Sequence, residues 1–157
     1  MSLLVLVTPL FFYAGAAAGQ ERPIVAVFDI KSEVRGWGPS RMRRFTDVLA
    51  TFLGENGFQV VPRSQVKARL REAKKESYRN CYDSSCQIEL GRELAAQKVL
   101  RGTITRIGGT CRLLLDLYDL KKAVSEKSVS FPHKCTEKDT LRVLKRAAVK
   151  LSMSLGA

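Results

Sequence analysis

The chain has 157 residues, with 27 lysines and arginines against 15 acidic residues and a formal net charge of +12. Its single histidine excludes a metal site that needs two, and the sequence carries no complete catalytic motif. The positive surplus favours attraction to polyanions such as lipopolysaccharide, acidic lipids, peptidoglycan or nucleic acid, with a merely soluble, highly charged surface as the alternative.

The first nineteen residues contain no charged side chain. Leu3 to Phe12 is an almost unbroken apolar run, and small residues that include Ala16 and Ala18 follow it. This pattern predicts a secretory signal peptide at residues 1–18 and a periplasmic or secreted mature protein, which begins with a short leader at 19–23. A retained N-terminal membrane anchor is the alternative, although the apolar stretch is at the short limit for a bilayer span.

The mature chain opens with a β-branched apolar run at residues 24–30, which predicts a strand buried on both faces. A loop with two glycines follows, and Ser40 is expected to cap a helix that ends at Asn56 and Gly57. Residues 58–61 predict a second strand, which Pro62 ends before another helix opens at Ser64.

The second half of the chain begins with a third helix, capped at Ser84. Within it, Gly91 is expected to let the helix lie close to the sheet, because it has no side chain to hold the two apart. A last helix, capped by Thr136, presents a clean apolar stripe. Between these helices the sequence predicts three strands joined by tight turns, at residues 98–107, 111–119 and 124–131.

The predicted order of elements is therefore β-α-β-α-α-β-β-β-α. Strands separated by helices should be parallel, and strands joined by tight turns should be antiparallel. The sequence thus predicts one α/β (α+β) domain at residues 24–155, built on a mixed sheet of about five strands.

Four cysteines lie in the mature part, and in an exported protein this even number predicts two disulfides. The hairpin should set Cys111 opposite residue 131 or 132, near enough to Cys135 for a bond that clamps its open end. Cys81 and Cys86 are spaced to close a small loop at the start of the third helix. The favoured pairs are therefore 81–86 and 111–135.

No enzymatic activity, cofactor or metal is expected. His133 is predicted to lie in a surface loop, and the cysteine spacings lack the close pairs of structural zinc sites. Cys81 and Cys86 could instead form a redox-active pair, although four residues separate them rather than the usual two. Asp29 is expected to order the loop after the first strand, and that loop lacks the glycine fingerprint of a phosphate-binding site.

The segment from residue 35 to residue 75 contains ten basic and three acidic side chains. It is the strongest candidate for an anion-binding face, with solvated charge as the alternative. Trp37 lies in a Gly-Pro loop beside several arginines and is a candidate partner-contact residue, unless it packs back on its own domain. The candidate interaction surface comprises Arg35, Trp37, Arg41, Arg43, Arg44, Lys67, Arg71, Lys74 and Lys75.

Three segments resemble a known family. They are the strand VAVFDI at 25–30, VVPR at 60–63, and the helix and strand ELGRELAAQKVLRGTI at 89–104. In this order they are similar to the TolB amino-terminal-like and curli-secretion (CsgG-like) envelope domains. The resemblance spans residues 24–131 and implies that fold in an isolated, non-enzymatic periplasmic or outer-membrane-associated module.

The leading functional hypothesis is a non-catalytic binding or scaffolding module of the bacterial cell envelope. Its expected partner is another envelope protein or an anionic surface such as lipopolysaccharide, anionic lipid or peptidoglycan. One alternative is a thiol–disulfide redox protein that uses Cys81 and Cys86. The other is a basic nucleic-acid-binding protein, but no nucleic acid is expected as a partner because few aromatic side chains are available to stack on bases.

Overall fold

The computed structural model describes residues 21–75, 84–153 and 155, so the predicted signal peptide at 1–18 lies outside the described residues. The described chain is an α+β domain of strands and helices. In chain order these are β1 (Ile24–Val27), β2 (Lys31–Ser32), α1 (Pro39–Glu55), β3 (Gln59–Val60), α2 (Arg63–Lys75), α3 (Ser84–Glu93), β4 (Lys98–Ile107), β5 (Thr110–Asp119), β6 (Val124–Lys134) and α4 (Glu137–Ser152).

The strands form one mixed sheet in the order β3-β1-β4-β5-β6, and the short β2 pairs with β4 beyond the end of β1. β1 runs parallel to β3 and to β4, whereas β4, β5 and β6 are antiparallel neighbours. The predicted mixture of parallel and antiparallel strands is therefore confirmed, with β2 as an additional sixth strand.

The predicted first strand is interrupted. β1 ends at Val27, and the chain leaves the ladder before it rejoins β4 at β2. The gap is held by two hydrogen bonds, since the Phe28 amide donates to the Leu100 carbonyl at 3.1 Å and the Ile30 amide to the Thr46 hydroxyl at 2.9 Å. The Thr46 side chain, which lies on α1, thus takes the place of a strand neighbour at this point.

The N-cap of α1 lies two residues before Ser40, which the sequence predicted as the cap. Gly38 is the N-cap without a side-chain hydrogen bond, and Pro39 is the first helical residue. Proline suits this position because the N–H groups in the first turn of a helix have no acceptor within the helix, so the missing N–H breaks no hydrogen bond. The Ser40 hydroxyl instead accepts a hydrogen bond from Arg43 at 2.8 Å. The helix ends at Glu55 with Asn56 as its C-cap, close to the predicted end, and Gly57 follows with a φ of +93°.

Two hydrophobic cores lie on opposite faces of the sheet. On one face, α1 and α4 bury large side chains such as Phe45 and Leu144 against all the long strands. On the other face, α2 and α3 pack Val66 and Leu90 against β1 and the beginning of β4. Among the described residues no helix packs on this second face over the middle of β4, β5 and β6, where the side chains of Leu114, Ser128 and Ser130 are exposed.

α3 lies close to the sheet at Gly91, as the sequence predicted. A Cβ atom at this position would lie 2.3 Å from a methyl group of Val99 and 3.2 Å from one of Leu120. Both distances are shorter than ordinary carbon contacts. The contact between α3 and β4 therefore requires glycine.

The disulfide Cys111–Cys135 is present, with a Cα–Cα distance of 5.0 Å, and confirms one of the two predicted pairs. Cys111 lies opposite His133 rather than residue 131 or 132. The difference arises from a β-bulge beside Leu117, which places one extra residue, Glu126, in β6. Cys81 lies outside the described residues, so one disulfide is seen rather than two and the 81–86 pair stays a prediction.

The turn between β5 and β6 is fixed by a buried charge cluster. Lys98 donates to Asp119 at 3.3 Å and also pairs with Glu126 from the bulge. Asp119 accepts two further hydrogen bonds, from the Lys121 and Lys122 amides at 2.9 and 2.8 Å. Burial raises the pKa of Asp119, but these hydrogen bonds and the Lys98 charge outweigh it, so the pKa lies below its ordinary value.

Candidate interaction surfaces

The carboxyl end of β1 is the place where the connections diverge. α1 leads from the β1–β2 segment to β3 on one face of the sheet, and α2 and α3 lead from β3 to β4 on the other. Such a point forms a crevice that often binds ligands in α/β proteins. Here Arg63 spans the crevice and pairs with Asp29 at 2.6 Å and with Asp47 at 2.8 Å. The network ties the segment after β1 to α1 and α2, and the ordering of the following loop by Asp29 stays a prediction.

Trp37 packs on its own domain. Its ring lies 5.8 Å from that of Phe45, at an interplanar angle of 57°, and the Arg41 guanidinium lies 5.4 Å above it. The side chain is half-buried against the core formed with α1 and α4. Of the two alternatives for Trp37, the structure shows packing within the domain, with part of the ring left exposed.

The candidate basic residues do not lie on one helix face. Arg41, Arg43 and Arg44 lie on α1, whereas Lys67 and Arg71 lie on α2, which packs on the other face of the sheet. Arg35 lies exposed in the loop before α1, and the side chains of Lys74 and Lys75 lie outside the described part of the structure. The candidate cations are thus divided between two helices that pack on opposite faces of the sheet and meet at Arg63.

The open part of the sheet displays an ordered row of polar side chains. Arg101 on β4, Asp116 on β5 and Ser128 on β6 are direct cross-strand neighbours. Asp116 pairs with Arg101 and accepts hydrogen bonds from Ser128, at 2.8 Å, and from Ser125. One carboxylate thus links side chains of all three antiparallel strands.

Asp116 is held in its charged form. Burial raises its pKa, but the hydrogen bonds from Ser125 and Ser128 and the charge of Arg101 outweigh that effect and lower the pKa below its ordinary value. An acid of this kind stays ionised at neutral pH. It therefore suits a fixed recognition surface better than proton transfer, which needs a pKa near the working pH.

A second row lies beside the first and adds apolar surface. Thr103, Leu114 and Ser130 are neighbours across β4, β5 and β6, and Ser130 accepts a hydrogen bond from Arg112 at 2.9 Å. Leu114 is 39% exposed. Both rows line a depression of about 480 Å³ that extends to Phe28 and Gln87. We call this region the open sheet face and define it by Arg101, Thr103, Leu114, Asp116, Ser128 and Ser130.

Sequence reasoning missed the open sheet face, although β5 carries a signal for it. Buried residues alternate along this strand with Arg112, Leu114 and Asp116. Such alternation is typical of a strand with one face in the core and one in solvent. The pattern identifies the outward side chains, but the row from Arg101 to Ser128 depends on the register of three strands.

His133 lies in β6 and is buried, so the prediction of a surface loop was wrong. The strand continues to Lys134, three residues beyond its predicted end, and carries the histidine with it. No group of three or more histidine, cysteine or acidic side chains suited to a metal ion is found among the described residues. Within the same residues, no helix is both long enough and apolar enough to cross a membrane.

Comparison with family models gave no match, and no curated protein was similar at the sequence level. Solved structures with the same fold do exist. The chain is similar to the lipoprotein GNA1162 from Neisseria meningitidis, with 22% identity and a TM-score of 0.56 over 82% of this chain and 95% of that one. It is also similar to the LpoB C-terminal domain from Salmonella enterica, with 16% identity and a TM-score of 0.55 over 76% and 87%.

A third similar structure is the PelC dodecamer from Paraburkholderia phytofirmans, with 14% identity and a TM-score of 0.52 over 88% of this chain and 89% of that one. At such low sequence identities, the structural similarity shows a shared fold and no more. The resemblance to envelope domains is therefore confirmed at the level of the fold. Membership of the TolB amino-terminal-like or curli-secretion (CsgG-like) families stays a prediction.

Proposed function

We propose that this chain is a non-catalytic binding module of the bacterial cell envelope, exported to the periplasm, that docks on another envelope protein through the open sheet face. The fold shared with a neisserial lipoprotein and with LpoB and PelC supports an envelope role. The hydrogen-bonded row of Arg101, Asp116 and Ser128 on the open sheet face is the main support for the proposal. A partner would meet side chains that are already held in place.

The open sheet face has the mixed character of a protein-binding surface. Its centre offers the exposed apolar side chain of Leu114, and its border offers serine hydroxyls and the Arg101–Asp116 pair. Non-obligate interfaces combine apolar contacts at the centre with a polar rim in this way. The Asp116 carboxylate is already fixed by hydrogen bonds within the domain, so little conformational entropy would be lost in ordering it when another protein binds.

The proposal is tested by site-specific photocrosslinking in the native host. A photoreactive phenylalanine derivative replaces Leu114 in one strain and Thr51, an exposed residue of α1 on the opposite side, in a second. We expect the Leu114 position to give one discrete adduct with an envelope protein, identifiable by mass spectrometry, and the Thr51 position to give none.

A matched variant tests whether the adduct reports this surface. Ser130→Lys adds bulk and charge beside Leu114 at an exposed position, so it should reduce the adduct at least about fivefold while the amount of folded protein stays the same. Adducts that are equal from both positions, or that contain only cytoplasmic proteins, would refute the proposal.

A further inference from the structure

The junction between β6 and α4 contains a buried histidine, one ring nitrogen of which has no hydrogen-bond partner among the described residues. His133 is 8% exposed, and its Nδ1 lies 3.3 Å from the Phe131 carbonyl oxygen. A carbonyl only accepts hydrogen bonds, so Nδ1 is the donor in this contact. The buried Nε2 has no hydrogen-bond partner among the described residues. A buried polar atom without a partner is uncommon in folded proteins.

The depression that His133 lines is strongly basic. Its volume is about 450 Å³, and four cationic side chains and one carboxylate surround it, which leaves three positive charges in excess. We call it the basic pocket and define it by His133, Lys134, Lys138, Asp139, Arg142 and Arg146.

The carboxylate in the basic pocket is already engaged. Asp139 accepts a hydrogen bond from the Thr136 hydroxyl at 2.7 Å and pairs with Arg142 at 2.6 Å. The Thr136 hydrogen bond lowers the pKa of Asp139, burial opposes this, and the charges of Arg142, Lys134 and Lys138 lower the pKa further. This carboxylate therefore offsets one of the four cations that line the pocket.

An apolar groove adjoins the basic pocket along α4. Val149 is 38% exposed and Met153 is 68% exposed, and both lie beside Phe131 of β6. Arg146 lines both depressions, and its guanidinium lies 5.1 Å above the Phe131 ring. The apolar groove, defined by Phe131, Lys145, Arg146, Val149, Lys150 and Met153, thus continues the basic pocket.

We propose that this junction binds an anionic lipid, with the phosphate of the headgroup in the basic pocket and an acyl chain along the apolar groove. Phosphate matches the pocket because arginine and lysine bind its oxygens through charge-assisted hydrogen bonds. The His133 ring lines the pocket beside these cations and reports on what enters it. The lysines that flank the groove keep their charges in water while their stems cover the chain.

This proposal rests on the envelope location in the proposed function but not on the open sheet face. The two sites share no lining residue, since the basic pocket is built from the end of β6 and from α4. Crosslinking at Leu114 could therefore fail while lipid binding succeeds, and the reverse also holds. The site also differs from the basic face predicted at Arg41 to Lys75, because it lies on another helix.

The test uses the fact that His133 is the only histidine in the chain. Its imidazole resonances in the ¹⁵N-labelled full-length secreted protein report on one site without assignment. The probes are inorganic phosphate, short-chain phosphatidylglycerol and the matching phosphatidylcholine. We expect inorganic phosphate to shift the resonances, phosphatidylglycerol to do so at concentrations at least about tenfold lower, and phosphatidylcholine to bind more weakly than phosphatidylglycerol.

Three variants separate the parts of the site. Lys138→Ser/Arg142→Ser should abolish both the phosphate and the phosphatidylglycerol shifts. Lys67→Ser/Arg71→Ser removes the same charge from exposed positions of α2 and should abolish neither. Met153→Glu should weaken phosphatidylglycerol but not inorganic phosphate, because it acts only on the groove.

Each other result counts against the proposal. Equal affinity for phosphate and phosphatidylglycerol would refute the acyl-chain part and leave a phosphate site. Equal losses in the α2 and α4 variants would refute a specific pocket, since net charge alone would then explain binding. An unchanged His133 resonance with every probe would refute the site altogether.

Discussion

Gly91→Ala should destabilise the protein, although alanine is the better helix former. On propensity alone the change would stabilise α3 by about 1 kcal/mol. The added methyl group, however, would lie 2.3 Å from a Val99 methyl, more than about 1 Å closer than an ordinary carbon contact. Val99 is fully buried, and its strand is paired on both sides, with Ala26 and with Tyr118. Neither β4 nor the short Val99 side chain can move aside easily.

The expected net effect follows from these two opposing contributions. Overpacking in a rigid core costs about 1–3 kcal/mol, and the fixed position of Val99 favours the upper end. After the gain in helix propensity is subtracted, Gly91→Ala should lower the free energy of unfolding by about 2 kcal/mol. Urea denaturation followed by circular dichroism measures this as a lower midpoint with an unchanged m-value.

Two controls show whether the clash is the cause. Gly54→Ala, in the last turns of α1, meets no atom within 4 Å, so it should leave stability unchanged or raise it by up to about 1 kcal/mol. In the double variant Gly91→Ala/Val99→Ala the clashing methyl is gone, and the two changes should compensate by about 1–2 kcal/mol in a double-mutant cycle. A Gly91→Ala protein as stable as the original would refute the close approach of α3.

Two further predictions concern the antiparallel half of the sheet. Replacing both Cys111 and Cys135 with alanine should lower the free energy of unfolding by about 3 kcal/mol, because the bond closes a loop with a sequence separation of 24; a loss under about 1 kcal/mol in urea denaturation would contradict this. Asp116→Asn should destabilise the protein by about 1–2 kcal/mol at pH 7. The folded state lowers the Asp116 pKa, so the contribution of this carboxylate is complete above the ordinary value of 3.8 and is lost as the pH falls below it. The difference from the original protein should therefore shrink below about pH 4, and a difference that is independent of pH would refute the ion pair.

The sequence was sufficient for those parts of the fold that depend on local patterns. The separation of strands by helices or by tight turns predicted which pairs are parallel, and the pairing confirms it. The capping of α4 by Thr136 and the close packing at Gly91 also follow from the type of one residue at one position. In each case, the physical cause lies within a few residues of the signal.

Features that depend on the register of distant segments could not be predicted in this way. The bulge at Glu126 moves every later residue of β6 by one position, which places His133 rather than Pro132 opposite Cys111. The strand patterns could indicate that Asp116 faces outward, but not that Arg101 and Ser128 meet it. Likewise, the sequence could not indicate that Arg43 and Lys67 lie on helices that pack on opposite faces of the sheet.

The crevice at the end of β1 is spanned by charged side chains of the fold itself. In α/β folds this crevice is the usual place for a ligand, because helix N-termini and strand ends leave polar groups there. Here Arg63 pairs with the carboxylates of Asp29 and Asp47 across it and holds α1 and α2 to β1. A ligand would have to break these contacts before it made its own. The outward faces of β4 to β6 carry an ion pair of their own, Arg101–Asp116, but the exposed Leu114 beside it can contact a partner without loss of that pair.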